Sequence, residues 1–297
     1  MDSKYSIWVL EYSYVKDYHL SGIIYGAHNQ GYRKLPYCYA LIKGQGHVAM
    51  VDVGYNQHDY GAVLSERFSV ENWHSPREVL AECGVAPEDV DTVFITHAHF
   101  DHLGNTDQFP NATFYIQERE LSKWIWALSL PDRMRWMMGA VDPSDILRAV
   151  ELARQGRLVI VDGDREDVLP GIDLHAAFDS HTYGSQWIHI RNDGMQQSQD
   201  GWVLAGDLVY VYENLGSSGG AVGGDKMYNP VGLAVGSQTN LVLTTEAMMK
   251  SVNYEVKRVV PVHEERLKDM FPSRITQHDL RVSEICLAAD QSSVVTR

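Results

Sequence analysis

Residues 94–104 read Phe-Ile-Thr-His-Ala-His-Phe-Asp-His-Leu-Gly, and this stretch constrains the chain more tightly than any other. An apolar segment, Val93 to Ile95, runs into His97, His99, Asp101 and His102, and Gly104 then breaks the regular structure. Imidazole and carboxylate are the usual ligands of zinc and related divalent ions. Four of them within six residues at the carboxyl end of a strand form the densest ligand packet in the sequence. Alternate side chains of an extended strand share a face, so His97, His99 and Asp101 fall on one side, and a turn brings His102 back to them. One ion seldom takes four ligands from so short a stretch, which points to two adjacent ions. Three further strand ends offer donors: His181 in Phe178-Asp-Ser-His-Thr-Tyr-Gly-Ser185, Asp207 in Val203-Leu-Ala-Gly-Asp207, and His263 in Val259-Val-Pro-Val-His-Glu264. His19, His28, His47, His58, His74, His175, His189 and His278 lack such a context and read as packed or solvent-facing side chains.

β-Branched and aromatic clusters between turn residues predict ten strands, at 6–11, 37–43, 47–53, 92–96, 113–117, 158–162, 172–178, 186–191, 202–206 and 258–262. Ser75-Pro76 opens a helix that Gly84 closes, and Asp142-Pro143 opens another that Gly156 closes, each with a capping side chain and proline in the first turn. Thr244 or Thr245 can cap a helix through Val252, and Thr276 one through Ala289. Strands, a helical block at 117–155, then strands and helices again suggest two strand-rich halves with helices outside, an α/β layered sandwich read as one domain over 1–297. The glycine-rich stretch 216–224 reads as a mobile loop and lacks the Gly-Lys-Ser/Thr ending of a phosphate-binding loop.

The packet and its three partners resemble the metallo-β-lactamase-fold hydrolases, and within them the N-acyl homoserine lactone lactonases. The likeness runs from about Tyr37 to His263, with the later His, Asp and His in the family's order. It implies a four-layer αββα sandwich. It also implies that His97, His99 and His181 hold one divalent ion, that Asp101, His102 and His263 hold the other, and that Asp207 bridges both. Zinc is the first expectation, with iron, manganese or cobalt as alternatives. Val51-Asp-Val-Gly54 resembles the family's Asp-x-Gly turn beneath the site, where Asp52 would orient a ligand imidazole. Leu169-Pro-Gly-Ile172 resembles the lactonases' Val-Pro-Gly-Val, and Tyr210 stands where they carry a tyrosine that donates to the substrate carbonyl. Two departures concern substrate preference: the segment at about 118–156 looks like a longer helical insertion, and Ser180-His-Thr-Tyr-Gly replaces the commoner Gly-His-Thr-Pro-Gly. Trp124, Trp126, Trp136, Met134, Met137 and Met138 read by default as that insertion's buried face, with an apolar lid or a homodimer surface as the alternative.

The implied reaction is attack of a metal-bridging hydroxide on the carbonyl of an N-acyl homoserine lactone-type or related small neutral lactone, with Asp101 accepting and passing a proton and Tyr210 supporting the oxyanion. A cyclic amide or an aromatic or xenobiotic ring is the alternative substrate. A glyoxalase II-like thioesterase would share the ligands, but the stretch after His263 is short for that family's helical domain. With 25 Lys and Arg against 39 Asp and Glu, the net charge of −14 disfavours nucleic acid and anionic membranes as partners. Cys38, Cys83 and Cys286 are too few and scattered for a disulfide framework, and the N-terminus does not read as a signal peptide, so the expected location is cytoplasmic.

Overall fold

In the computed structural model, which describes residues 3–216, 227–232 and 234–296, the chain starts with a long antiparallel pair. β1 (Tyr5–His19) and β2 (Tyr32–Gly44) are joined through the short helix α1 (Leu20–Ile23). Residues 5–13 of β1 are buried without alternation, as befits a strand covered on both faces. The first half continues with β3 (His47–Val51), α2 (Tyr60–Arg67), β4 (Val70–Glu71), α3 (Pro76–Ala81), β5 (Thr92–Phe94) and α4 (Phe100–Leu103). It closes with β6 (Thr113–Gln117), α5 (Glu118–Leu128), a 3-10 stretch at Asp132–Met138, α6 (Pro143–Arg154) and β7 (Leu158–Val161). The second half holds β8 (Arg165–Leu169), β9 (Ile172–Phe178), β10 (Gly184–Arg191), β11 (Gly201–Leu204), α7 (Gln238–Ser251) and β12 (Val259–Val260). α8 (Leu267–Met270), β13 (Ser273–Ile275) and β14 (Arg281–Cys286) follow.

Among the described residues these strands make two sheets. Nine run in the order β13-β14-β1-β2-β3-β5-β6-β7, with β4 on β1, and five in the order β12-β11-β10-β9-β8. The two sheets face each other and the helices lie outside them, which gives a four-layer αββα sandwich. Polar side chains stitch the sheets together at one point: the Gln186 amide of β10 donates to the Ile95 carbonyl at 2.7 Å and accepts from Gln117 of β6 at 2.9 Å. β3, β5, β6 and β7 are mutually parallel. In the second sheet β9, β11 and β12 run in one direction, because β10 is antiparallel to both β9 and β11 while β12 is parallel to β11. The carboxyl ends of β5, β9, β11 and β12 therefore converge, the crevice where open α/β sheets collect ligands.

Several boundaries differ from expectation for local reasons. Helix α3 is opened by a Ser75 and Glu78 capping box, and α6 by Asp142, which accepts from Ser144 N at 2.7 Å. Helix α7 starts at Gln238 with Ser237 as its cap, seven residues before Thr244 and eight before Thr245. No helix forms from Thr276 to Ala289. Instead Asp279 takes a positive φ of 56° and β14 adds to the edge of β1, burying Val282 and Ile285, so strand pairing overrides local helical preference. The strands expected at 47–53 and 202–206 stop early because Asp52 and Gly206 adopt positive φ. β12 keeps only two residues, since Pro261 has no N–H to donate. Gly216 ends a 3-10 turn with φ 72°, and residues 217–224 of the expected glycine-rich loop lie outside the described residues. No described helix is long and apolar enough to cross a membrane.

Candidate metal centre

After β5 the chain stays extended only as far as His99, which is the residue before α4, so Asp101 and His102 project from the first turn of a helix rather than from a strand. The turn is possible because Gly104 has no side chain. A β-carbon there would lie 2.6 Å from Tyr55 Cα, and the Gly104 N–H donates to Gly54 O at 2.7 Å. Gly206, before Asp207, likewise packs on Thr96, where a β-carbon would sit 2.7 Å from Thr96 Cβ. These approaches press the loop after β5 against the loops after β3 and β11.

The seven expected ligands form two adjoining groups: His97, His99, His181 and Asp207, and Asp101, His102 and His263, all buried. His99 Nδ1 is 3.0 Å from His97 Nε2 and 3.1 Å from His181 Nε2. Asp207 faces both groups. Its Oδ2 lies 3.2 Å from His181 Nε2 and 3.6 Å from His97 Nε2, while its Oδ1 lies 3.1 Å from both His102 Nε2 and His263 Nε2. Asp101 Oδ2 is 3.4 Å from His102 Nε2 and 4.0 Å from His263 Nε2.

Three imidazole nitrogens converging at about 3 Å cannot all be satisfied by protons between them, whereas lone pairs aimed at one cation can. His102 Nε2 has no hydrogen-bond partner despite two nearby carboxylates. Burial, then His181, pushes His99 down to about 3, and burial also holds His97 far below its ordinary value, so both are neutral and free to ligate. Burial works against the charge on Asp207, but His102, His263 and His97 outweigh it and keep the carboxyl well below its usual range. A buried carboxylate pair amid imidazoles fits divalent cations.

The imidazoles are held from behind. His102 Nδ1 contacts Asp52 Oδ2 at 2.7 Å, and Asp52 also accepts from Thr96 N and Oγ1 at 2.7 and 2.8 Å. His263 Nδ1 donates to Pro36 O at 2.7 Å. Sequence reasoning missed Glu120. This buried α5 carboxylate accepts from Ala98 N at 2.8 Å and Trp124 Nε1 at 2.7 Å through one oxygen. Through the other it accepts from Thr182 Oγ1 at 2.8 Å and Gly184 N at 2.7 Å. It thus ties the His97–His99 loop to the His181 loop. In sequence it looks like an ordinary acid in a helix's first turn; the only available signal was its place just after the strand 113–117.

Tyr210 stands with its ring 4.7 Å from His263 and 5.8 Å from His181, and burial, then Asp207, raises its pKa well above 10. It lines a cavity of about 760 Å³ together with His99, Asp101, Asp207 and His263. Much of the rest of the lining is apolar, from Leu35, Phe68, Phe100 and Met138, with Arg67 and Arg135 also reaching it. The helical segment does not pack as a uniformly buried face: Trp124 is buried, but Trp126 and Met134 are exposed. Trp136 is 80% exposed, and with Met137 and Met138 it reaches the cavity rim. A third group of possible ligands, Asp173, His175 and His189, lies on β9 and β10. There Arg191 already binds Asp173 through Nε at 2.7 Å and Nη2 at 3.0 Å, occupying the place of a cation.

Solved structures share this architecture. An N-acyl homoserine lactone hydrolase with N-hexanoyl-L-homoserine bound at its catalytic metal centre superposes with a TM-score of 0.62 at 19% identity, covering 91% of this chain and 97% of the other. AidC, a dizinc quorum-quenching lactonase, superposes at 0.61 and 15% identity, covering 98% and 97%. At these identities the likeness is one of fold. In sequence, N-acyl homoserine lactonase AiiB of Agrobacterium fabrum is 25% identical over 139 residues, 47% of this chain and 48% of that protein. A probable metallo-hydrolase of Methanocaldococcus jannaschii is 46% identical over 41 residues, 14% of this chain and 20% of its own length. The chain therefore spans about half or less of the length of these curated relatives. The family model described as metallo-beta-lactamase superfamily matches residues 34–263, a span that begins in β2 and ends on the last histidine of the centre, and with it the chain belongs to that superfamily.

Proposed function

We propose that this protein is a hydrolase with a dinuclear metal centre that opens a small neutral lactone. His97, His99 and His181 would hold one ion and Asp101, His102 and His263 the other, with Asp207 placed between the two groups. The observation that carries this reading is the division of Asp207, one oxygen toward each histidine group. Zinc fits the imidazole-rich donor set. Two divalent ions bound there would supply Lewis acidity and a water whose pKa is brought to about 7.

The chain's own groups do the rest. The apolar part of the lining takes a neutral ring and limits the water around it. Tyr210, held neutral, donates a hydrogen bond to the ring carbonyl oxygen as negative charge builds there. Burial opposes ionisation of Asp101, but His102 overcomes this and lowers its pKa. Asp101 can therefore accept a proton from the attacking water and hand it to the ring oxygen as the acyl C–O bond breaks. Water has then been added across that bond, and the product is a hydroxy acid. AiiB and AidC, which bear the name of lactonases, support the ester over other carbonyl substrates.

The test is hydrolysis of a matched lactone, lactam and thioester by the chain loaded with zinc, alongside metal analysis. Two ions per chain and preference for the lactone are expected. Faster turnover of the lactam would move the assignment to cyclic amides, of the thioester to thioesterases, and a single iron with oxygen uptake would overturn the hydrolase.

A further inference from the structure

The cavity is uneven in charge. Among the described residues the carboxylates that line it are Asp101 and Asp207, both buried in the metal centre, whereas its two guanidiniums, Arg67 and Arg135, are exposed. A basic mouth runs against the field of a chain whose net charge is −14. The two arginines are engaged differently. Arg135 pairs through Nε with Asp132 at 3.2 Å. The partners of Arg67, in the last turn of α2, are neutral among the described residues: Nη2 donates to Tyr60 Oη at 2.9 Å and Nη1 to Gly139 O at 3.4 Å. The Tyr60 ring centroid lies 5.9 Å from its guanidinium carbon. These contacts orient the guanidinium without neutralising it and leave most of its N–H donors free. A planar fork in that state matches a carboxylate. An apolar path links it to the centre, because Phe68, beside Arg67, stacks on Phe100, beside Asp101, with centroids 5.8 Å apart.

We infer that Arg67 is a specificity-determining residue whose guanidinium binds a carboxylate at the far end of the substituent on the substrate's ring. The inference rests on the lactone-opening reading and amends its substrate, which is neutral at the ring and acidic at the tail. The ring carbonyl goes to Tyr210 and the metal centre, the chain of the substituent lies along Phe100 and Phe68, and the acid meets Arg67 at the mouth.

In the metal-loaded full chain, kcat and KM would be measured for a γ-lactone bearing a carboxypentyl chain and for its primary amide, which has the same shape without the charge. The wild type should favour the acid about fivefold, chiefly through KM, as suits a forked pair at a solvent-exposed guanidinium. Arg67→Gln should abolish that preference, and Arg67→Lys, which keeps the charge but not the fork, should retain about twofold. Equal losses on both lactones in Arg67→Gln would show a merely structural role and overturn the inference, as would a wild type that favours the amide. The wild-type preference should also fade as salt is raised to about 0.5 M; a preference indifferent to salt overturns the inference even where Arg67→Gln does not fold. Binding of the matching cyclopentanones, which have no ring ester to cleave, would be followed by calorimetry in wild type and variants with the same expectation. If the wild type opens neither lactone, the functional reading fails, while the ketone pair still decides the role of Arg67. No binding of the acidic ketone by the wild type, or the same preference for it in Arg67→Gln, overturns that role.

Discussion

Two parts of the molecule gather the same side-chain types and do different things with them. At the carboxyl ends of β5, β9, β11 and β12 five histidines and two aspartates meet, and among the described residues no Lys or Arg pairs with either aspartate. On β9 and β10, Asp173, His175 and His189 come within the same 4.8 Å ligand spacing, but Arg191 binds both oxygens of Asp173. His175 stacks on Trp187 with centroids 4.1 Å apart and 22° between planes. The carboxylate of the second group is thus neutralised by a guanidinium, and one of its imidazoles is engaged by an aromatic face. The lesson is that residue type and proximity do not make a metal site. What distinguishes the centre is a buried carboxylate pair that no Lys or Arg engages among the described residues, set among imidazoles whose nitrogens point at a common place.

The sharpest way to break this contrast is Asp207→Asn. Losing groups that merely orient a ligand costs 10–100-fold in metal affinity or activity, and Asp207 faces both histidine groups. The variant should therefore lose at least about a hundredfold in kcat/KM and retain fewer than two ions by metal analysis; full occupancy would remove Asp207 from the centre. Arg191→Met probes the other region. It strands Asp173 with its charge unpaired, so stability to urea should fall by about 3 kcal/mol while turnover stays within twofold. If the guanidinium is what keeps a cation out, the same variant should bind an extra zinc equivalent, detectable by calorimetry, that Asp173→Asn abolishes.

The contrast also explains how much could be read before folding. The ligands were legible because chemistry crowds them: four in six residues after a strand, then a His, an Asp and a His each closing an apolar run. The two strand-rich halves were legible from β-branched and aromatic clusters between turn residues, and two helix starts from the Ser75 and Asp142 caps. What stayed hidden depends on distant partners. β14 is a strand because β1 offers it an edge. Tyr18 reaches the cavity because Gly22 leaves room. Trp136 is exposed at the cavity rim while Met138 is buried beside it, a split that periodicity does not reveal. His175 and His189 were set apart from the ligand candidates, and their proximity to Asp173 could not be seen.

Glu120 sharpens the comparison from the side of the centre, because it shows a buried carboxylate satisfied by four neutral donors instead of a cation. Glu120→Gln turns one acceptor into an NH₂ group that faces donors, leaving them unpaired at a cost of about 2 kcal/mol. As the variant keeps every ligand, it should lower zinc affinity only about tenfold, and thermal unfolding with and without chelator separates the two effects. A stability loss with unchanged zinc affinity would make Glu120 a purely structural tie.

The smallest effect expected lies at His189. Burial, only partly offset by Asp173, pushes its pKa down to about 4 from the ordinary 6.5, and its Nε2 has no hydrogen-bond partner. As pH falls below about 6.5 the unfolded chain takes up a proton that the folded chain refuses, so stability declines until about pH 4, where both forms are protonated. Above pH 6.5 the imidazole is neutral in both states and contributes no slope. The loss assignable to this residue is on the order of 1–2 kcal/mol. Since the metal ligands and other acids titrate too, the measurement is a difference: urea midpoints between pH 7 and 4.5 for the wild type and for His189→Gln, which cannot take the proton. The variant should decline less steeply over that interval. Parallel curves would mean that His189 charges as freely in the fold as out of it, and that the second group, like the first, accommodates positive charge at its imidazoles.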